Sequence, residues 1–374
     1  MPDKHAVLSA SSSHRWLACP PSARICAASE DTPSEFALQG TDAHSLCEYK
    51  LKKALGKRVR DPTEDLTYFD KEMDECSDEY VSFVLEKFEE AKELCKDPIV
   101  LVEQRLDFSR WVPDGFGTGD CVIIADKTLT VIDFKYGMGV LVEAKENPQM
   151  MCYALGALDL FDDLYDIEEV TMAIFQPRKS NVSISTMTKD DLLRWGDAVL
   201  APTAQLAYKG EGEFKAGEHC RFCKIKTNCR KRAEYNMALA QYDCQMPEGL
   251  TETEIEAILE KADSFVSWIS DIKDYALEKA LAGTSWKGWK IVEGRSTRRY
   301  LNDAVVADKV QKAGFDPYEH KVLGVTAMTR MLGKKNFEEL LEGLIEKPEG
   351  KPTLVPESDK RPAMNIAAND FSDD

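Results

Sequence analysis

An α/β fold, built as a mixed sheet flanked by helices with a mainly helical C-terminal region, is predicted by three features of this chain. Three Val- and Ile-rich runs lie between residues 99 and 134, with glycine or charged turns between them. Charged segments with helical apolar spacing precede and follow them. A further strand-like run comes after the next helical segment, and the order helix, antiparallel strands, helix, strand, helix implies a mixed sheet.

Taken in order, Ser11 to Ser13 followed by His14, Arg15 and Trp16 reads as a capped helix start that stops at Cys19-Pro20-Pro21. Gly40 to Leu55 has the spacing of a helix, and Lys71 to Cys95 that of a strongly charged one ended by Pro98. Ile99 to Leu106, Asp120 to Ala125 and Thr128 to Phe134 then read as a meander of strands. Pro148 to Leu160 reads as a helix, Glu169 to Phe175 as a strand, and Lys189 to Tyr208 as a helix leading into a cysteine trio. Beyond Cys244 the character changes: a long amphipathic helix (Thr251 to Leu281), a Trp-rich strand-like piece, two or three helices to about Glu346, and a polar tail. A boundary is therefore expected near residue 245, between a core of residues 1–245 and an accessory region of residues 246–374.

With 374 residues the chain can bury a large core without disulfides. Its 11 cysteines, an odd number scattered through apolar and helical segments, and the lack of a signal-like N-terminus point to a reducing, cytoplasmic setting. No run of about 18 apolar residues is present, so no membrane span is expected. A net charge of -18 argues against a protein that coats nucleic acid non-specifically. It leaves room for a carboxylate-rich metal site fed by local basic patches. One patch runs from Arg221 through Lys224, Lys226 and Arg230 to Arg232; a second, from Trp286 to Tyr300, interleaves Lys and Arg with aromatics. Either also fits a solvated charged face.

The richest chemistry lies around Asp120 and Asp133. Asp120 follows Gly115, Gly117 and Gly119 and opens one expected strand; Asp133 and Lys135 end the next. A hairpin at Asp126-Lys127 folds residue 120 back against residue 133, so two carboxylates share one site. Such a pair suits Mg2+ or Mn2+ in metal-assisted hydrolysis. Lys135, two residues from Asp133, points to the same face and can hold a water or offset charge on a phosphate. The glycines do not form a dinucleotide loop, because a strand and not a helix follows them. His44 and Glu48, and Gln149 and Tyr153, are i, i+4 pairs on helices suited to a metal ligand with its partner and to orienting Lys135. A structural histidine and a core tyrosine are the alternative readings.

In this order, Gly40-Thr41 with His44, Gly119-Asp120, Asp133-Phe134-Lys135 and Gln149 with Tyr153 resemble the RecB-type nucleases of the PD-(D/E)XK superfamily. The resemblance implies a restriction-endonuclease-like fold, a metal held by His44, Asp120, Asp133 and the Phe134 carbonyl, and water activation aided by Lys135. Glu103, on the preceding strand, is a further candidate for the metal shell.

Cys220, Cys223 and Cys229 form a compact trio, and Cys19 is the well-placed distant partner. Four such thiolates can hold a [4Fe-4S] cluster, and zinc would take the same four, or three with His219. The arrangement is similar to the iron-sulfur subgroup of RecB-type nucleases, which includes the AddB subunit and the nucleases of CRISPR spacer acquisition. Either metal would close a loop of about 200 residues, worth roughly 4 to 5 kcal/mol by chain entropy. Cys26, Cys47, Cys76, Cys95, Cys121, Cys152 and Cys244 read as buried or incidental thiols.

The resemblance covers roughly residues 14 to 232. It implies a metal-dependent DNA exonuclease or end-processing nuclease of recombination or repair, in a phage or bacterial setting. Its expected partners are DNA with a free end and a recombination or single-strand-binding protein. Two alternatives stay open: a DNA-binding or scaffold protein that keeps the metal clip without catalysis, and a zinc-clipped regulatory protein. In the C-terminal region, Trp286, Trp289 and Tyr300 could stack on bases or pack a core. The acidic end, residues 369–374, fits either a docking tail or a solubilising terminus.

Overall fold

The computed structural model describes residues 6–29, 34–238, 250–292, 301–318, 322–345 and 355. Five strands form one sheet in the order β1 (Ile99–Asp107), β2 (Phe116–Ala125), β3 (Thr128–Phe134), β4 (Glu169–Gln176) and β5 (Asn181–Thr188). β3 and β4 are parallel and every other neighbouring pair is antiparallel. The sheet is mixed, as expected. β2 and β3 join through Asp126-Lys127, with Asp126 at a φ of 50°. A parallel step needs a long crossover, and the helix Pro148–Tyr165 provides it.

β5 was not expected as a strand. Its apolar residues Val182 and Ile184 are exposed while Ser183 is buried, and Met187 alone of its apolar residues packs on the core, so this edge strand carries little apolar alternation for a sequence pattern to reveal. β2 is also longer than predicted at its start, so Gly117 and Gly119 lie within the strand and Asp120 in its middle.

Helices cover both sheet faces. On one, Pro148–Tyr165 buries Met150, Leu155 and Leu158 against Leu106, Val122, Ile124 and Val131. Asn147 caps that helix, accepting the N–H groups of Gln149 and Met150, and Pro148 occupies its first turn. On the other face, the helices Glu35–Ala54 and Lys71–Leu94 bring Leu46, Leu51, Tyr80 and Val84 onto Cys121, Ile123, Ile132 and Phe134. Their N-terminal caps are Ser34 and Asp70. The first of these begins well before Gly40, so Gly40-Thr41 lies inside the helix and does not open it.

The N-terminal segment forms α1 (Ser13–Ala18) and α2 (Ser22–Ala27), separated by the Cys19-Pro20-Pro21 break. No side chain caps α1. After β5, the helix Lys189–Trp195 continues through a π turn into Ala201–Lys209. The helix Arg230–Met237 follows the cysteine loop, and its buried Arg232 pairs with Asp271 at 2.6 Å on the helix Glu252–Leu281. Lys226 reaches the same carboxylate at 2.6 Å. These ion pairs tie the long helix to the cysteine loop, and the first compact unit runs to Glu278, later than the boundary expected near 245.

The second unit, Lys279–Asp374, contains the helices Asp303–Lys312, Val325–Leu332 and Lys334–Leu340. The strand-like piece expected around Trp286 and Trp289 is irregular through residue 292, with Trp289 exposed. Cys244, Arg295, Arg298, Arg299, Tyr300 and the acidic end lie outside the described residues. Among the described residues no helix is long and apolar enough to cross a membrane.

Candidate metal centre

The centre arises where the sheet breaks its own alternation. A Cβ on Gly117 would meet the Tyr153 ring at 2.6 Å and one on Gly119 would meet Leu106 Cδ1 at 2.8 Å, so both glycines face the Pro148–Tyr165 helix. Val122 and Ile124 face the same core. A strict period of two cannot satisfy both pairs, so the facing of β2 slips by one residue between them. Strand pairing shows where: Val102 lies opposite Cys121 and Gln104 opposite Gly119, and Glu103 and Asp120 are skipped. Glu103 holds a φ of 55°, a left-handed conformation that costs a non-glycine residue on the order of 1 kcal/mol. Strain of this kind persists where surrounding structure enforces it. Here it frees two carboxylates from the ladder at the same level of the sheet.

Asp120 takes the ring of His44 as its partner, with Nδ1 to Oδ1 at 3.1 Å, and accepts the Phe134 N–H at its other oxygen at 2.7 Å. The ligand atoms of His44, Glu103 and Asp120 all lie within 4.8 Å of one another. Two oxygens and an imidazole nitrogen at such spacing suit a divalent cation.

Asp133 is buried beside this trio and is held by a different set of groups. Gln149 Nε2 donates to Asp133 Oδ1 at 3.1 Å. Lys135 Nζ lies 2.9 Å from Asp133 Oδ2 in an ion pair that is off the hydrogen-bonding direction. Lys135 also donates to Gln149 Oε1 at 3.1 Å, and Gln149 Nε2 reaches the Tyr153 hydroxyl at 3.3 Å. Gln149 therefore fixes Asp133, Lys135 and Tyr153 at once. The Asn147 cap sets the start of its helix and so the position of its side chain.

Electrostatics follow from burial and from carboxylates close together. Burial disfavours the charged form of His44, but the charge and hydrogen bond of Asp120, with the Asp133 charge, together outweigh it and push its pKa up to about 9. Burial, reinforced by Asp120, raises Glu103 to about 7. Asp133 is likewise shifted upward, first by burial and then by Asp120, against the pull of Lys135. Asp120 itself is held below the usual carboxylate range, because His44 and the Phe134 N–H outweigh its burial. Burial works against the charge on Lys135, yet Asp133 and Asp120 more than compensate, so it stays an ammonium.

The sequence-predicted residues His44, Asp120, Asp133, Lys135, Gln149 and Tyr153 thus come together, and Glu103 joins the metal trio. Phe134 contributes its N–H to Asp120, while its ring packs edge-on to His44 with centroids 5.5 Å apart. Glu48 is not the partner of His44: it pairs with Lys52.

The second predicted group is also assembled. Cys19, Cys220, Cys223 and Cys229 line one cavity, together with Arg15 and His219. Burial opposes ionisation of Cys19, but His219 and the backbone around Lys215 and Ser22 hold its thiol below the ordinary range. A residue that sequence reasoning set aside lies against this group. Cys26 Sγ is 3.8 Å from Cys223 Sγ and accepts the Lys224 N–H at 3.4 Å. The contact with Cys223, opposed by burial and helped by Lys224, lowers Cys26 to about 6 and drives Cys223 upward. No spacing rule marks Cys26, because it belongs to α2 and meets Cys223 only through the fold.

Gly117→Val supplies a direct test of the packing over the centre. The added side chain displaces the Tyr153 ring, an overpacking worth about 1 to 3 kcal/mol. A lower melting temperature is expected, while Gly40→Ala, inside a helix with open space at its Cβ, should raise stability by about 0.5 to 1 kcal/mol.

Over residues 5–362 the chain matches the family described as "Protein of unknown function (DUF2800)". A solved structure described as "Crystal structure of SSO0001" is similar at 14% identity, covering 52% of this chain and 98% of its own, with a TM-score of 0.22.

Proposed function

Since the chain belongs to the DUF2800 family of proteins of unknown function, we propose for it a metal-dependent deoxyribonuclease of the PD-(D/E)XK kind, an exonuclease or end-processing nuclease acting in recombination or repair. One observation carries the reading. The ligand atoms of His44, Glu103 and Asp120 lie within 4.8 Å of one another, next to a buried Asp133 that is paired with an ammonium. A core carboxylate pair would be stabilised more simply by apolar residues, so this arrangement calls for a chemical use.

His44, Glu103 and Asp120 would hold Mg2+ or Mn2+, with Asp133 and the Phe134 backbone beside them. A cation bound there supplies an activated water and neutralises charge on a phosphodiester. Because Asp133 and Asp120 keep Lys135 protonated, its role is to orient the water and stabilise negative charge on the phosphate, not to take a proton. Gln149 holds Lys135 and Asp133 in register, and Tyr153 braces Gln149.

The thiol set is a second support for the reading: Cys19, Cys220, Cys223 and Cys229 face one cavity and would hold a [4Fe-4S] cluster, with zinc on the same thiolates as the alternative.

The decisive experiment is cleavage of end-labelled single- and double-stranded linear DNA by anaerobically purified protein with Mg2+ or Mn2+. Products shortened from one end are expected, and they give the polarity. A folded, cluster-loaded protein that binds DNA but cleaves none of these substrates would leave the scaffold reading.

Metal uptake should also release protons. Near neutral pH, before a cation enters, His44 carries a proton and Glu103 is partly protonated, and a cation competes with both. Apparent Mn2+ affinity is therefore expected to fall as pH drops through about 7, and to keep rising with pH toward about 9. Calorimetry in two buffers of different ionisation enthalpy measures the released protons directly; identical heats in both would argue against this ligand set.

A further inference from the structure

Cys26 is a fifth thiol that the four-ligand site does not use. It is buried on α2, 3.8 Å from Cys223 and held there by the Lys224 N–H. Lys224 extends back to Ser29 O at 3.3 Å, so the contact is pinned from both chain segments. Two sulfurs already in contact at this separation are placed to close to a bond of about 2.05 Å. If Cys223 holds a cluster corner, Cys26 stays outside the ligand set as a reduced neighbour. Its position then matters most when the cluster is missing.

We propose that Cys26 and Cys223 form a reversible disulfide when Cys223 carries no metal, making a modification site that locks the cluster-free protein. The proposal rests on the reading of Cys223 as a cluster ligand. A peroxide is the oxidant. The Cys26 thiolate attacks one peroxide oxygen, the O–O bond breaks, and the departing hydroxide takes up a proton as water, leaving a sulfenic acid. The Cys223 sulfur then attacks that sulfur, its thiol proton leaves with the displaced hydroxide as a second water, and the S–S bond forms. Each bond consumes one peroxide and two thiols. The bond withholds Cys223 from iron, and it also links α2 to the cysteine loop, replacing part of the closure that the cluster provides. A thiol reductant reverses it.

The test uses full-length protein stripped of metal anaerobically and treated with a stoichiometric amount of hydrogen peroxide. Free thiols are then blocked, and the digest is mapped by mass spectrometry without reduction. A peptide pair joining Cys26 to Cys223 is expected, together with loss of iron-sulfur absorbance on reconstitution until reductant is added. Cys26→Ser should give no linked pair and should reload its cluster after the same treatment. Cys26 fully blocked as a free thiol, or Cys223 joined instead to Cys19 or Cys220, would overturn the proposal. The peptide map on wild-type protein decides this even if Cys26→Ser folds poorly. It also needs no DNA cleavage, so failure of the nuclease reading stays distinguishable. Zinc in place of iron in the purified protein would revise the ligand reading and leave the linkage measurement intact.

Discussion

Asp133→Asn is expected to reduce DNA cleavage on the order of a thousandfold while leaving the fold intact. The loss follows from removing one of the negative charges that hold Lys135 and would organise the proposed cation. The stability side follows from linkage. Burial and the Asp120 charge raise the pKa of Asp133 in the folded protein. An acid shifted upward binds its proton more tightly when folded, so its contribution to stability is lost as pH rises through the folded value. Once ionised, the carboxylate is therefore a cost, and Asn removes it while keeping an oxygen for Lys135 and a shape close to that of Asp. The melting temperature should not fall, and the wild type should lose stability relative to the variant as pH rises above the ordinary carboxylate range. A drop of more than about 4 °C, equivalent to roughly 2 kcal/mol for a unit of this size, would make Asp133 a structural residue. Unchanged cleavage by the variant would remove it from the chemistry.

Cys223→Ala is expected to lower stability and activity together. The proposed metal group would join Cys19 to the trio at residues 220–229 and close a loop of about 200 residues, worth roughly 4 to 5 kcal/mol by chain entropy. The variant should purify with a depleted iron-sulfur absorbance, unfold at lower denaturant, and become protease-sensitive near α1 and the cysteine loop. Its loss of cleavage differs in kind from that of Asp133→Asn, which retains cluster colour and melting temperature. A colourless Cys223→Ala protein with wild-type stability and cleavage would sink the idea of a structural clip.

Much of the centre was legible because its chemistry needs polar residues where a strand or helix would otherwise be apolar. Asp133 and Lys135 stand out at the end of a Val/Ile strand, and Gln149 and Tyr153 follow from helical spacing once Pro148 marks the helix start. Glu103 was only a secondary candidate, since its left-handed backbone and escape from the ladder leave no trace in residue spacing. The glycines before Asp120 were read as a turn. Gly117 and Gly119 are instead strand residues, with Gly117 kept small under the Tyr153 ring and Gly119 against Leu106, a close approach across elements that local propensity cannot register.

By itself the sequence determined the mixed α/β class, the β1–β3 meander, the helix that crosses from β3 to β4, and the residue types of both polar groups. Periodicity and turn chemistry are local, acting over a few residues, so they survive in the bare chain. Tertiary structure alone decided the edge strand β5, whose buried residue is Ser183, and the extension of the first unit through Asp271 to Glu278. It also decided the slip that aims Asp120 at His44, and the approach of Cys26 to Cys223. Each of these joins residues far apart in the chain or breaks a local period to satisfy a distant partner, and only packing in three dimensions sets such distances.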